Sequence, residues 1–323
     1  MKVVSIINYK GGVGKTTLTA NLGAYAAMRG YRVLLIDLDP QTQLTFSFVD
    51  VETWKAKYKE KKTLKRYFDS CIDSKGESVK LSSLVIPQKC CRNLGLISSN
   101  LELTDMDMLL AGSCGASSTY LLAGNSLRMY NYLNNGMEEL MDQFDLVLID
   151  CPPNCNAMVR NAIIASDYYL IPARMDYLSS LGIENLERNV LHFLSEYNED
   201  FVKARPDLKY KTVKIKALGV VPMMVDFAFG KMLTLHREYM EKLSREGRLK
   251  LKDNSIPKTY HVFPYLRYNA TVFSSSSVEK GPVVLTEKKY SDKLYEKTAL
   301  YKVVHDLYGI GEEFLVNVKL QGK

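Results

Sequence analysis

The chain has 323 residues, 46% of them hydrophobic and 24% charged, with a formal net charge of +7. That length can bury one large core or two smaller ones, and the composition is that of a soluble globular protein rather than a disordered or collagenous one. No apolar run approaches the roughly 18–20 residues of a membrane-spanning helix, and six cysteines with no C-x-x-C pair and no metal-ligand spacing read most simply as reduced cytosolic thiols.

The first apolar run, Val3-Val4-Ser5-Ile6-Ile7, predicts a buried strand. It leads into Lys10-Gly11-Gly12-Val13-Gly14-Lys15-Thr16-Thr17 and then a helix through Leu18-Thr19-Ala20-Asn21-Leu22. A strand, a glycine-rich turn and a helix start form the setting in which backbone N–H groups wrap a polyphosphate, helped by the positive end of the helix dipole. In such a loop Lys15 reaches the β/γ-phosphates and the Thr16 hydroxyl ligates Mg²⁺. The usual G-x-x-x-x-G-K-[ST] pattern fails at its first position, where Tyr9 stands, and a second lysine, Lys10, heads the loop. With a strand and a working loop this early, neither a cleaved signal nor a helix-turn-helix domain is expected before Lys10.

Further strands are predicted at 32–37, 93–97, 146–150, 168–172, 217–221 and 262–266, with helical patterns near 120–143, 156–166, 179–197, 230–246 and 288–308. Residues 50–92 are polar, lysine-rich and irregular, and read as an elaboration of the same unit. Continuous apolar strands alternating with helices predict a three-layer α/β fold, which with the phosphate loop after its first strand resembles the P-loop NTPase fold. Its mostly parallel central sheet is covered by helices on both faces, and residues 1–323 form a single domain. Ligands in such sheets bind beyond the C-terminal strand ends.

Two of those ends carry carboxylates: Asp37-Leu38-Asp39-Pro40-Gln41 and Asp150-Cys151-Pro152-Pro153-Asn154. Phosphoryl transfer to water needs a clamped polyphosphate, a metal and a positioned nucleophile. Asp150 is placed to hold Mg²⁺ through a water, Asp39 to orient the attacking water, and Asp37 nearer the metal. Charge is uneven as well. Residues 201–260 hold 14 Lys/Arg against six Asp/Glu, and residues 52–66 hold seven against two, which points to an anionic partner.

On Lys10–Thr17, Asp37–Gln41 and Asp150–Pro153 the chain resembles the ParA/MinD class of P-loop ATPases, and the ParA (Soj-like) partition ATPases most closely. Asn161-Ala162-Ile163-Ile164-Ala165-Ser166-Asp167, Leu170-Ile171-Pro172, Leu181-Gly182 and Gly281-Pro282-Val283-Val284 extend the resemblance over nearly the whole chain. It implies a cytoplasmic, nucleoid-associated ATPase that forms an ATP-dependent homodimer. Lys10 would reach the partner's phosphates, and catalysis would rest on Lys10, Lys15 and Asp39. Lys10, Gly11, Gly12, Val13, Gly14, Lys15, Thr16 and Thr17 would cradle ATP, with Mg²⁺ at Thr16, Asp37 and Asp150. The sequence departs from the family in Tyr9, where glutamine is common, and in Cys155, which follows an uncommon Asn154.

ParA-like members bind DNA without sequence preference and answer to a ParB-type centromere-binding partner, whereas MinD-like members bind membrane through a basic C-terminal amphipathic helix. The tail from Gly311 begins acidic, is β-branched in its middle and alternates at period two, so a terminal strand or frayed end is expected rather than a membrane helix. For DNA, the residues expected to serve are Arg237, Arg245, Arg248, Lys250 and Arg267, since nonspecific binding needs only phosphate neutralisation.

Overall fold

The computed structural model describes all residues except 74–77, 114–117, 247–259, 275–280, 290–297 and 321–323. Seven strands form the main sheet: β1 Lys2–Ile6, β2 Val33–Asp37, β3 Ile86–Pro87, β4 Leu94–Ile97, β5 Leu146–Asp150, β6 Tyr168–Arg174 and β7 Lys216–Met223. Their order is β3-β4-β2-β5-β1-β6-β7. Every neighbouring pair is parallel except β3 on β4. A separate hairpin pairs β8 Phe227–Ala228 with β9 Lys231–Met232. The α-helices are α1 Lys15–Met28, α2 Gln43–Phe46, α3 Val51–Thr53, α4 Leu64–Ile72, α5 Leu103–Ser113, α6 Thr119–Tyr130, α7 Tyr132–Met137, α8 Ala157–Ala165, α9 Tyr177–Ser195, α10 Thr234–Glu246, α11 Ala270–Ser274 and α12 Ala299–Asn317.

Strand alternation assigns the two faces of the sheet. Val33 and Leu35 of β2, with Leu146 and Leu148 of β5, pack with Leu18 and Leu22 of α1 and Ile310 and Phe314 of α12. Leu34 and Ile36, with Val147 and Ile149, pack against Leu127 of α6, Met158 of α8 and Val190 and Phe193 of α9. Both faces are apolar because both are covered, which is why these strands read as unbroken hydrophobic runs. The three-layer α/β fold expected from the sequence is the one observed.

Several local expectations differ from the structure. Residues 50–92, expected to be irregular, contain α3, a π turn at Trp54–Tyr58, α4 and a 3₁₀ turn at Leu81–Leu84. Leu64, Tyr67 and Phe68 of α4 enter the core at helical spacing, a short stripe that the surrounding lysines hide. Residues 262–266 are not a regular strand: isolated bridges, Val220 to Val262 and Val225 to Arg267, and single bonds such as the Leu266 N–H to the Pro222 carbonyl (2.8 Å) lay the segment along β7 and the residues after it. Pro264 lies between the two bridges and has no N–H to donate.

The helix expected over 288–308 begins only at Ala299, and 290–297 lie outside the described residues. It then runs to Asn317, through the tail expected to be a strand or frayed. Val303, Leu307, Ile310, Phe314 and Val318 form a buried stripe, and a methyl on Gly311 would lie 2.4 Å from the Tyr25 ring of α1. Packing against α1 overrides the strand propensity of the β-branched residues.

Candidate nucleotide site

The glycine loop leaves β1 at the carboxyl edge of the sheet. Asn8 clamps its start, donating from Nδ2 to the Pro172 carbonyl (2.8 Å) and accepting the Lys10 N–H on Oδ1 (2.9 Å). Tyr9 turns into the core behind the loop, so the bulk at the usual first-glycine position faces away from the cradle. Gly12 and Gly14 have φ of +69° and +90°, the left-handed region that disfavours side chains. A methyl on Gly14 would also lie 2.7 Å from Met223 Cε at the end of β7. Helix α1 starts at Lys15, leaving its first-turn N–H groups for an anion.

Lys15 is 7% exposed and donates from Nζ to the Asn8 and Lys10 carbonyls at 3.2 and 3.4 Å. Burial lowers its pKa, while the Asp150 and Asp39 carboxylates oppose the shift. The Thr16 hydroxyl donates to Asp150 Oδ2 (2.6 Å), and Thr19, one turn on, donates to Asp150 Oδ1 (3.3 Å). Asp37 and Asp150 are register partners on adjacent β2 and β5, so the two expected strand tips do meet.

The three aspartates have different surroundings. Asp37 is fully buried and accepts the Asp39 N–H (3.2 Å), the Thr45 N–H (2.7 Å) and the Thr45 hydroxyl (2.6 Å). Burial first, and then the nearby Asp150, push its pKa well above the usual carboxylate range, against the Thr45 bonds. With three donors on it, Asp37 also holds the strap 39–45 in place beside Asp150. Asp39 is half-buried, and its carboxylate accepts only the Gln41 N–H (2.9 Å) among the hydrogen bonds seen. Its main-chain oxygen is pinned by the Thr42 N–H (2.9 Å) and the Ser99 hydroxyl (2.7 Å). Thr42 has φ +56°, a strained conformation for a β-branched residue, in the turn that presents Asp39.

Burial pushes the Asp150 pKa up to about 7, with Thr16 and Lys15 restraining the shift. Thr16 and Asp150 are hard oxygen donors. Among the described residues no group of three or more His, Cys, Asp or Glu could hold a metal. That donor set fits Mg²⁺, which keeps several waters and takes substrate phosphates rather than a full protein cage. A pH dependence follows. A carboxyl with a folded pKa above its unfolded value binds protons preferentially when folded, so its stabilising effect is lost as pH rises through about 7. The nucleotide-free protein should therefore melt at lower temperature at pH 8 than at pH 6. Mg·ATP should bind more weakly at pH 6, with proton release on binding. Melting and titration calorimetry of wild type and Asp150→Asn check this, and the variant should flatten both dependences.

The Lys10 ammonium is turned toward α9. Its Nζ donates to Asp176 Oδ2 and Oδ1 (3.0 and 3.3 Å) and to the Ser179 hydroxyl (3.3 Å) at the start of α9, and it is half-exposed. Asp176 caps that helix, accepting the Ser179 N–H (2.7 Å). Burial works against ionisation of Asp176, but the Ser179 N–H and Lys10 outweigh it and lower the pKa. Beside Thr16 and Thr17 a cavity of about 420 Å³ opens, lined also by Phe46, Phe273 and Pro282.

Of the basic residues expected at DNA, two have described side chains, Arg237 and Arg267. Arg237 is exposed on α10, the Arg245 side chain lies outside the described part, and Arg248 and Lys250 lie outside the described residues. Arg267 does not present a free guanidinium: it pairs with Asp306 of α12 at 2.6 and 2.8 Å and lies over the Phe227 ring. Lys211, Lys214 and Lys216 are exposed at the start of β7, roughly 23 Å of strand from its end at Met223. Sequence reasoning missed Asn8, Thr19, Thr45, Ser99, Asp176 and Ser179. Only Thr19 carried a signal, three residues after Thr16 on one helix face.

A glycine loop with its lysine, facing two register-paired aspartates at the carboxyl edge of a parallel sheet, defines a P-loop nucleotide-binding protein. Residues 1–203 match the family model described as an AAA domain, and the chain belongs to that family. Within it the chain is a ParA/Soj-like P-loop ATPase. It is similar to the sporulation initiation inhibitor protein Soj of Bacillus subtilis, 29% identical over 202 residues, which span 62% of this chain and 69% of Soj. In fold it is similar to the McdA–ATP complex of Cyanothece, with TM-score 0.67, 21% identity and coverage of 99% and 97% of the two chains. It is also similar to a plasmid partition protein of Borrelia burgdorferi, with TM-score 0.61, 17% identity and coverage of 98% and 99%. No helix among the described residues is long and apolar enough to cross a membrane.

Proposed function

We propose that this protein is a Mg²⁺-dependent, slow, partner-stimulated ATPase that dimerises on ATP and binds DNA without sequence preference. With a ParB-type partner it would position a plasmid, a chromosome region or another cargo on the nucleoid, in the cytoplasm, with the whole chain acting as one ATPase domain. The N–H groups of Gly11–Thr17 and the Lys15 ammonium hold the β/γ-phosphates, and the cavity beside Thr17 leaves room for the nucleoside. Thr16 and Asp150, with Asp37 beside them, would hold a magnesium ion with its waters, and the ion would offset phosphate charge. Asp39 orients the attacking water, because it is the half-buried carboxylate with the fewest donors on it.

The observation that carries the reading is Lys10. Lys15 alone fills the lysine position of its own cradle, while Lys10 sits half-exposed at the loop mouth on Asp176 and Ser179. A cation so placed suits the phosphates of a second ATP-bound copy, which couples hydrolysis to assembly. Lys10→Ala should retain most of the monomer's ATP affinity but weaken the ATP-dependent dimer about tenfold or more, read by analytical ultracentrifugation. A variant dimer as stable as wild type would refute the cross-subunit role.

The alternative is a MinD-like membrane regulator, which needs a free amphipathic helix. The apolar stripe of α12 is instead buried against α1, which favours the DNA reading. A DNA mobility shift beside liposome co-sedimentation, both with ATP, tests the choice. Binding to DNA that falls steeply with salt is expected, and retention on liposomes without DNA binding would overturn it.

A further inference from the structure

The β8–β9 hairpin carries an aromatic tip that the fold does not use. Phe227 pairs with Met232 and Ala228 with Lys231, so Phe229 and Gly230 alone make the turn. Both have positive φ, +50° and +78°, as a two-residue I′ connection requires. Such turns favour Asn-Gly or Asp-Gly, because a bulky side chain is strained there. The Phe229 side chain is also fully exposed, so among the described residues no burial repays the strain. Two unfavourable features at one residue point to a surface outside the chain that the ring covers.

The base of this finger is held firmly. Phe227 packs against Tyr265 with ring centroids 5.6 Å apart, and the Arg267 guanidinium, anchored on Asp306, lies 5.1 Å above it. The Asp226 N–H donates to His236 Nδ1 (3.1 Å), and the Leu233 N–H to the Asp226 carbonyl (3.1 Å), tying the finger to α10. The finger leaves β7 four residues after Met223, the residue packed against Gly14 of the nucleotide loop, so it projects from the nucleotide edge of the sheet.

The finger itself is basic. Residues 227–237, between Asp226 and Glu238, contain no acid, and both Lys231 and Arg237 are exposed. Leu233 and Leu235 are exposed beside them and suit the apolar rims of deoxyribose. An aromatic on a rigid tip, flanked by cations, has the chemistry of a wedge that unstacks a base step while its neighbours neutralise phosphates. We infer that Phe229 stacks against bases of duplex DNA, with Lys231 and Arg237 on the flanking phosphates. This rests on the DNA-binding reading above and names the element that would perform it.

The test uses the full chain with ATP and a duplex containing 2-aminopurine, read by anisotropy and base fluorescence. Wild type should bind and raise the fluorescence. Phe229→Ala should weaken binding about tenfold and abolish the rise, leaving the salt slope and DNA-free ATP turnover unchanged, whereas Phe229→Trp should keep both binding and signal. Replacing Lys231 and Arg237 together by Ala should lower the salt slope by about two. If wild type binds DNA and Phe229→Ala matches it in affinity and signal, the wedge is wrong and the DNA reading stands. If wild type with ATP does not bind DNA, both fail. Phe229-dependent retention on anionic liposomes, or Phe229-dependent dimerisation without DNA, would assign the finger to another surface and overturn the inference.

Discussion

Replacing Lys15 by Ala should abolish nucleotide binding at micromolar concentrations. The ammonium is almost wholly buried, with Asp150 and Asp39 as the charges opposing its depressed pKa, so it is a preplaced cation whose hydration has already been given up. Its Nζ bonds two loop carbonyls, and phosphate oxygens are stronger acceptors than these. Truncating one partner of a buried, hydrogen-bonded charge pair costs about 2–5 kcal/mol, which is roughly thirty- to several-thousand-fold in affinity. The same change removes the cation that restrains the Asp150 pKa, so weaker metal binding at neutral pH should accompany it. Titration calorimetry with Mg·ATP and circular dichroism of the variant separate this from unfolding. A folded variant that binds ATP within a few-fold of wild type would remove Lys15 from the phosphate site.

Asp39→Ala should leave ATP binding within a few-fold of wild type, lower turnover by about 10²–10⁴, and hold the protein in its ATP-bound dimer. Turn geometry separates this aspartate from its neighbour. The main-chain oxygen of Asp39 is held by Thr42 and Ser99, so the turn survives loss of the carboxylate, which accepts only from Gln41 among the hydrogen bonds seen. The Asp37 carboxylate is instead occupied by Thr45 and the Asp39 N–H. Single-turnover hydrolysis, measured beside nucleotide affinity, tests the assignment. A variant turning over at the normal rate would move the water-orienting role elsewhere.

Much of this molecule was legible in the chain because the responsible forces act locally or with a fixed period. The strands 33–37, 94–97 and 146–150 appear as apolar runs because both sides of a covered sheet exclude water. The glycine loop is legible because positive φ at Gly12 and Gly14 restricts the residue type. Asp37 and Asp150 could be placed together because each ends a strand of one parallel sheet. The C-terminal helix was misread, because its β-branched residues resemble a strand until Tyr25 and α1 supply a surface for the stripe. The 262–266 segment was over-read, since its apolar run does not show how Pro264 breaks the ladder.

The sequence by itself determined the class of chemistry: a polyphosphate cradle with two lysines, facing carboxylates at strand ends, on a parallel α/β sheet. Only the tertiary structure decided what each charged group does. It set the Arg267 guanidinium on Asp306 beneath the hairpin, the Lys10 ammonium on Asp176, and the Thr45 hydroxyl on Asp37. The physical reason is range. Backbone conformation and hydrophobic periodicity are written over a few neighbouring residues, whereas a charge or hydrogen bond is settled by whatever partner the fold brings within about 3 Å, here from 39 residues away for Arg267 and 166 for Lys10.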